Sequence, residues 1–291
     1  MRAKRRNKRI NQRNSFLRDL QKKIAMAVFC FGTFVAPVQA TVADTALPVE
    51  DKGVEQGTAT IETTANTNKM KITQSTEKAV ISWKSFDVGK KAEVNFVQPS
   101  VSSMTLNRIT GGSLSEIAGK INAKGNILLV NPAGFLFDSD SSVNASGIIV
   151  STAEINPDNF MRDDFMQNNN STFAQKESAS GNITVNGTLT ASTTKQLGES
   201  GAASGLSVIN NQIRLVADTN ITVGSTGALT AHTESAAMAN GDTTTLQGRI
   251  ILRSDQNADN VGTVTLKNAA KKIDVGSGET AGYVGLYYNP T

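Results

Sequence analysis

The chain has 291 residues, with 29 Lys and Arg against 25 Asp and Glu, one histidine and one cysteine. So little histidine and cysteine excludes a disulfide framework and the usual zinc constellations, and supplies a Ser-His-Asp triad poorly. The net charge of +4 suggests a nucleic-acid binder only until its distribution is read.

Met1 to Lys23 carries ten of the basic residues and one acid, Asp19. Ile24 to Ala36 follows as an apolar run of 13 residues, too short to span a bilayer of about 30 Å as a helix. Val38-Gln39-Ala40 then places small residues at −3 and −1. Residues 1–40 therefore read as an extended signal peptide for the Sec machinery, cleaved after Ala40. Beyond it 19 basic residues face 24 acidic ones, a net of −5, which removes the electrostatic footprint of a nucleic-acid partner. Cys30 lies inside the apolar run, preceded by Ala27-Val28-Phe29 rather than by the small residues of a lipoprotein site.

Residues 41–66 are polar and weakly periodic and read as a flexible leader. Strand patterns begin at Met70–Gln74 and continue through Lys78–Trp83 and Ala92–Val97, each bounded by Gly, Pro, Ser or Asp. Leu114 to Gly119 is the one short helical candidate here, with Ser113 or Ser115 as its cap. The less repetitive stretch 67–124 is read as a β cap on the more regular region after it.

From Gly125 to Phe137 the sequence is GNILLVNPAGFLF. Two apolar runs flank Asn131-Pro132-Ala133-Gly134, and Pro second with Gly fourth fits a type I turn opened by Asn. Asn182-Ile-Thr-Val185 with Gly187-Thr-Leu-Thr-Ala191 recurs as Asn220-Ile-Thr-Val223 with Gly227-Ala-Leu-Thr-Ala231. The offset of 38 residues reads as two coils of roughly 20 each. A weaker copy is Lys272–Val275, and Gln212–Val216, Arg249–Leu252 and Thr263–Leu266 lie between. Short strands with Gly, Asn, Asp and Ser corners indicate an all-β parallel β-helix, a solenoid with coils over 125–291, in preference to a β-sandwich. Pro157–Ser178 breaks the pattern and is expected to leave the helix axis, with Phe160 and Phe165 folding back as a lid on the apolar stack.

The isolated residues of chemical interest read more plainly. Trp83, the single tryptophan, is expected in the core or cap rather than as a carbohydrate platform. His232 is expected at an exposed corner. Asp138-Ser-Asp140 and Asp255-Gln-Asn257 lack the glycine and glutamate that an EF-hand register requires, so both read as solvated turns and no metal or cofactor site is assigned. Asn182 and Asn220 belong to coil corners.

Several ordered motifs, Ala79–Gly89 (AVISWKSFDVG), Val94-Asn-Phe96, Gln98-Pro99, Leu106–Gly111 (LNRITG) and Asn131–Phe135, closely resemble the two-partner secretion domain. That domain, the haemagglutination activity domain, opens filamentous haemagglutinins, haemolysins and contact-dependent inhibition proteins of diderm bacteria. The resemblance spans roughly 69–155, and a long basic front on the signal fits it. It implies a right-handed β-helix over 67–291, exported to the periplasm and recognised unfolded by POTRA modules of an outer-membrane barrel transporter. Folding at the cell surface would then template the downstream part of a secreted or surface adhesin, with a host or neighbouring-cell receptor beyond. The family's Asn-Pro-Asn-Gly-Ile motif falls on Asn131, Pro132, Ala133, Gly134 and Phe135, departing at Ala133 and Phe135. A second Asn-Pro-Asn-Leu motif is absent. Asn131 is a turn-former or part of the transporter-recognition determinant. The competing functions are a β-helical polysaccharide-active enzyme, against which the acids are scattered, and the front of a toxin delivery protein. No catalytic group is assigned. The chain stops at Val284–Thr291, just after a strand, which suggests an uncapped last coil, as in a fragment of a longer fibre.

Overall fold

A computed structural model describes residues 42–64, 67–166, 181–198, 201–255, 261–267, 273–276 and 281–287. The expected signal peptide, residues 1–40, and its cleavage site after Ala40 lie outside these residues.

Among the described residues the first strands are β1 (Val49–Gln56) and β2 (Ala59–Thr64), followed by β3 (Lys69–Gln74), β4 (Lys78–Ser85), β5 (Glu93–Val97) and β6 (Met104–Ile109). Next come β7 (Ser115–Ile117), β8 (Lys120–Ala123), β9 (Asn126–Val130), β10 (Gly134–Phe137), β11 (Ser142–Ala145) and β12 (Gly147–Ser151). A short helix α1 (Pro157–Met161) precedes β13 (Asn182–Val185) and β14 (Thr188–Ala191), and helix α2 (Thr193–Leu197) precedes β15 (Gln212–Val216), β16 (Ile221–Val223) and β17 (Ala228–Thr230). The remaining strands are β18 (Glu234–Ala237), β19 (Thr243–Leu246), β20 (Arg249–Arg253), β21 (Val264–Leu266), β22 (Ile273–Asp274) and β23 (Tyr283–Tyr287).

These strands form a parallel β-helix with three sheets running along its axis. The first is ordered β1-β4-β6-β9-β12-β15-β20-β23, the second β2-β3-β5-β8-β11-β14-β17-β22, and the third β7-β10-β13-β16-β21. Every ladder in them is parallel except β1 on β4 and β2 on β3. Inward positions stack like on like from coil to coil. Ile127 pairs with Ile148, Ile213 and Ile250 in turn, and Ile121 with Val143, Leu189 and Leu229. All are buried in one continuous apolar column. Each residue thus fills the same slot as its counterpart one coil away, which is why short strands with little individual stability hold together.

Five expectations are corrected. The stretch expected as a flexible leader, 41–66, is ordered over 42–64: β1 and β2 lie antiparallel across the first coil and close the N-terminal end of the stack. Their inward signal is only Leu47, Val54, Ala59 and Ile61, all packed on the core, while the other face is wet and polar. Even residues 43–46 are docked, since Gly89 and Lys91 donate backbone hydrogen bonds to Ala46 and Asp44. The cap therefore lies before residue 67, and 67–124 already consists of parallel coils. Leu114–Gly119 contains strand β7, not a helix, because pairing with β10 overrides local propensity over so few residues.

The 38-residue echo is one coil rather than two, for Ile183 pairs directly with Ile221 (221 − 183 = 38). The extra length lies outside the column, in α2 and residues 201–211. In the following coil the antiparallel hairpin β18–β19 takes that place. Phe160 and Phe165 do fold back, but onto the outer face of the first sheet rather than onto the inner apolar stack. There they join Val80, Met104, Leu106, Leu128, Val130 and Ile149 in a second apolar cluster.

Candidate functional site

The turn at Asn131–Gly134 is built as its sequence requires. The Gly134 amide donates to the Asn131 carbonyl at 2.9 Å, closing the turn, and the Ala133 amide donates to Asn131 Oδ1 at 3.0 Å. Asn131 is completely buried, and its side chain does more than shape its own turn. Its Nδ2 donates to the Ser113 carbonyl at 2.8 Å and to Ser115 Oγ at 2.9 Å, both on the preceding coil. Its backbone amide donates to the Ser151 carbonyl, at the end of β12 on the following coil, at 3.0 Å. One asparagine therefore ties three successive coils.

Gly134 faces the next coil so closely that a Cβ there would lie 2.4 Å from the Asn182 carbonyl oxygen, and its φ of +100° is one that L side chains rarely adopt. The next coil reciprocates at Gly181, where a Cβ would sit 2.6 Å from the Pro132 carbonyl and the Gly134 amide. Phe135 turns into the apolar column and stacks with Phe137 at 6.0 Å between centroids. Pro132 and Ala133 are half-buried on the outer side.

The other motif residues are joined to one another and to β9 through buried polar bonds. Trp83 is buried edge-on to Phe86, and its Nε1 donates to Asn107 Oδ1 at 3.0 Å. Asn107 Nδ2 reaches the Leu128 carbonyl on β9, the strand leading into the turn. Gln98 accepts from the Gly125 amide at 2.7 Å and donates to Thr105 Oγ1, whose hydroxyl bonds Gln74. Asn126 Nδ2 holds the carbonyls of Val101 and Ser103 and the hydroxyl of Ser207, each at 3.1 Å. Sequence reasoning missed Ser113, Ser115, Gln74 and Asn126. Their partners lie one coil away, and only the coil length, which spacing alone gave wrongly further along, would have aligned them.

The remaining candidates stay apart from this corner. His232 Nε2 lies 2.9 Å from Asp274 Oδ1 in a largely exposed pair. The His232 imidazole and the Gly276 amide hold the Asp274 carboxyl below its usual range. Asp138 Oδ1 accepts from the Ser139 amide in a local turn, and Asp140 pairs with Lys90. Asn182 and Asn220 form a corner ladder in which Asn182 Oδ1 accepts from the Asn220 amide and side chain, and Asn220 Oδ1 from Thr263. Among the described residues no group of three or more His, Cys, Asp or Glu is placed to hold a metal ion.

The model of the TPS secretion domain matches residues 46–283, nearly all of residues 41–291. The chain belongs to the TPS secretion domain family. Members of this two-partner secretion family are secreted or cell-surface proteins of Gram-negative bacteria and imply a cognate outer-membrane transporter. Among its relatives, a heme/hemopexin-binding protein of Haemophilus influenzae is 42% identical over 99 residues, covering 34% of this chain and 11% of that protein. Its counterpart in the Rd strain is 37% identical over 108 residues, covering 36% and 12%. The matched stretches thus span about a tenth of those relatives. Among solved structures, the HMW1 secretion domain from Haemophilus influenzae has a TM-score of 0.47 at 22% identity, covering 76% of this chain and 57% of that one. The filamentous hemagglutinin secretion domain has a TM-score of 0.34 at 13% identity, covering 84% and 100%.

Proposed function

We propose that this chain is the secretion-recognition domain at the front of a larger surface or secreted adhesin. After Sec export and cleavage after Ala40, the POTRA modules of a barrel transporter in the outer membrane receive it unfolded. It folds outside, and the completed coils template the downstream part of the exoprotein. The observation that carries this reading is the family match across 46–283. The closed cap and the parallel ladders beyond it are consistent with growth in one direction. The domain itself performs no catalysis in this reading. Binding of a host or neighbouring-cell receptor, or of haem or hemopexin as the relatives' names suggest, belongs to that downstream part. The corner Asn131–Phe135 serves as the junction on which ordered coil assembly depends, with Asn131 and Gly134 essential and Ala133 the tolerant position.

The test is expression in a diderm host with and without the cognate transporter. The protein should appear at the surface or in the medium only with it, and Asn131→Ala and Gly134→Ala should be exported sharply less. Equal export without the transporter would end the reading. Normal export of both variants would remove the turn's part in it.

A further inference from the structure

On the outer face of the first sheet, Val80, Leu106, Leu128 and Ile149 align in register over four successive coils. Such a column would face water were it not covered. Its cover is the segment from Glu154 to Met166, whose Phe160 and Phe165 meet edge to face at 5.0 Å and are buried against it. Asn156 caps α1, its Oδ1 accepting from the Asn159 amide. Lys78 Nζ donates to the carbonyls of Phe160 and Arg162 and lies 5.8 Å from the centroid of each ring.

The same segment reaches the N-terminal cap. Gln56, the last residue of β1, donates through Nε2 to Asp158 Oδ1 at 2.8 Å across 102 residues of sequence. Arg108 holds Glu55 of β1 with one guanidinium nitrogen and Glu154, where the segment begins, with the other, both at 3.4 Å. Ser82 also donates to Glu55. The earliest strand and an excursion a hundred residues later therefore share one set of clamps.

We infer that residues 154–166 are a strap that locks the N-terminal cap in place, so that the first coils and the cap become stable together only once the strap has docked. Until the chain extends to about residue 165, β1 lacks the Gln56–Asp158 bond and Arg108 lacks its Glu154 partner, and the outer column is bare. Docking removes that column from water and completes the Gln56 and Arg108 clamps in one step, which makes the four coils a cooperative unit. If the chain emerges from a transporter N-terminus first, which rests on the function proposed above, strap docking is the point after which the emerged part no longer slips back. The coupling of strap to cap does not depend on that.

Hydrogen exchange on the purified full chain tests it without any transporter, so that failure of transporter-dependent export and failure of this inference are separate results. In the double variant Phe160→Ala/Phe165→Ala, the amides of β1 should exchange about tenfold faster or more, while those of β15 and β20 keep their protection. Unchanged β1 protection, with the strap alone loosened, would overturn the inference. Should the double variant lose protection in β20 as well, Lys78→Met decides. It keeps the buried carbon stem and removes the two carbonyl contacts, and must speed exchange in β1 relative to β20. Equal exchange in the two would again overturn it.

Discussion

Asn131 shows why a turn residue can matter beyond its turn. Truncation to Ala removes two donors that satisfy a carbonyl and a hydroxyl on the preceding coil and the Oδ1 acceptor of its own turn. Buried groups left without partners cost about 1–3 kcal/mol each, so Asn131→Ala should lower the unfolding free energy by roughly 2–4 kcal/mol. Gly134→Ala places a methyl 2.4 Å from a backbone oxygen at positive φ, and a loss of about 3 kcal/mol is expected. Ala133→Asn, which restores the family residue on the half-buried outer side of the turn, should change stability by less than about 0.5 kcal/mol. Urea midpoints of the three variants check the order. An Asn131→Ala midpoint equal to wild type would show that the inter-coil bonds contribute nothing net.

At the scale of elements, the strands were legible where both their faces are constrained. Ile127–Val130 and Ile183–Val185 announce themselves because inward residues repeat and Gly or Asn marks each corner. The cap strands were not, because β1 presents only Val54 to the core in a run of mostly charged and polar residues, so polarity disguised a paired strand. The candidate turn was legible to its hydrogen bond, but its ties to Ser113 and Ser151 require knowing which coil lies beside which. Coil length is the quantity the sequence conceals, since excursions such as α2 and β18–β19 lengthen a coil without altering the column. The His232–Asp274 corner offers a test of that assignment, because the Ala231 amide donates to the Asp274 carbonyl at 2.8 Å, joining β17 to β22. The Asp274 carboxyl sits below its usual range through His232 and the Gly276 amide, so its contribution is present above the unfolded value and lost as pH falls through the folded one. Ala231 protection, corrected for intrinsic exchange, should therefore drop below about pH 4, and in Asp274→Asn that step should vanish. Persistence of the step in Asp274→Asn would assign it to another carboxyl.

At the scale of the whole molecule, the two ends of a parallel stack pose the same hazard, an edge that invites another strand. At the N-terminal end the hazard is removed by reversing direction. β1 and β2 run antiparallel to β4 and β3, so they finish the hydrogen bonds of those strands while offering a poor template for a further parallel coil. β1 also carries register shifts around Glu50 and Gly53, and a broken ladder with charged side chains is a weak partner for a second chain. Removing residues 42–66 should therefore do more than lower stability. It would bare the ladders of β3 and β4 together with the core side chains Met70, Ile72 and Ile81 beneath them. Light scattering at micromolar concentration should show the shortened chain associating into larger species than the full chain. Glu and Lys substitutions along β3 should suppress that association without restoring the urea midpoint, because charge blocks edge pairing but does not replace the cap. A shortened chain with the mass and midpoint of the full one would mean that the stack closes its own end, and that β1 and β2 serve some purpose other than a cap.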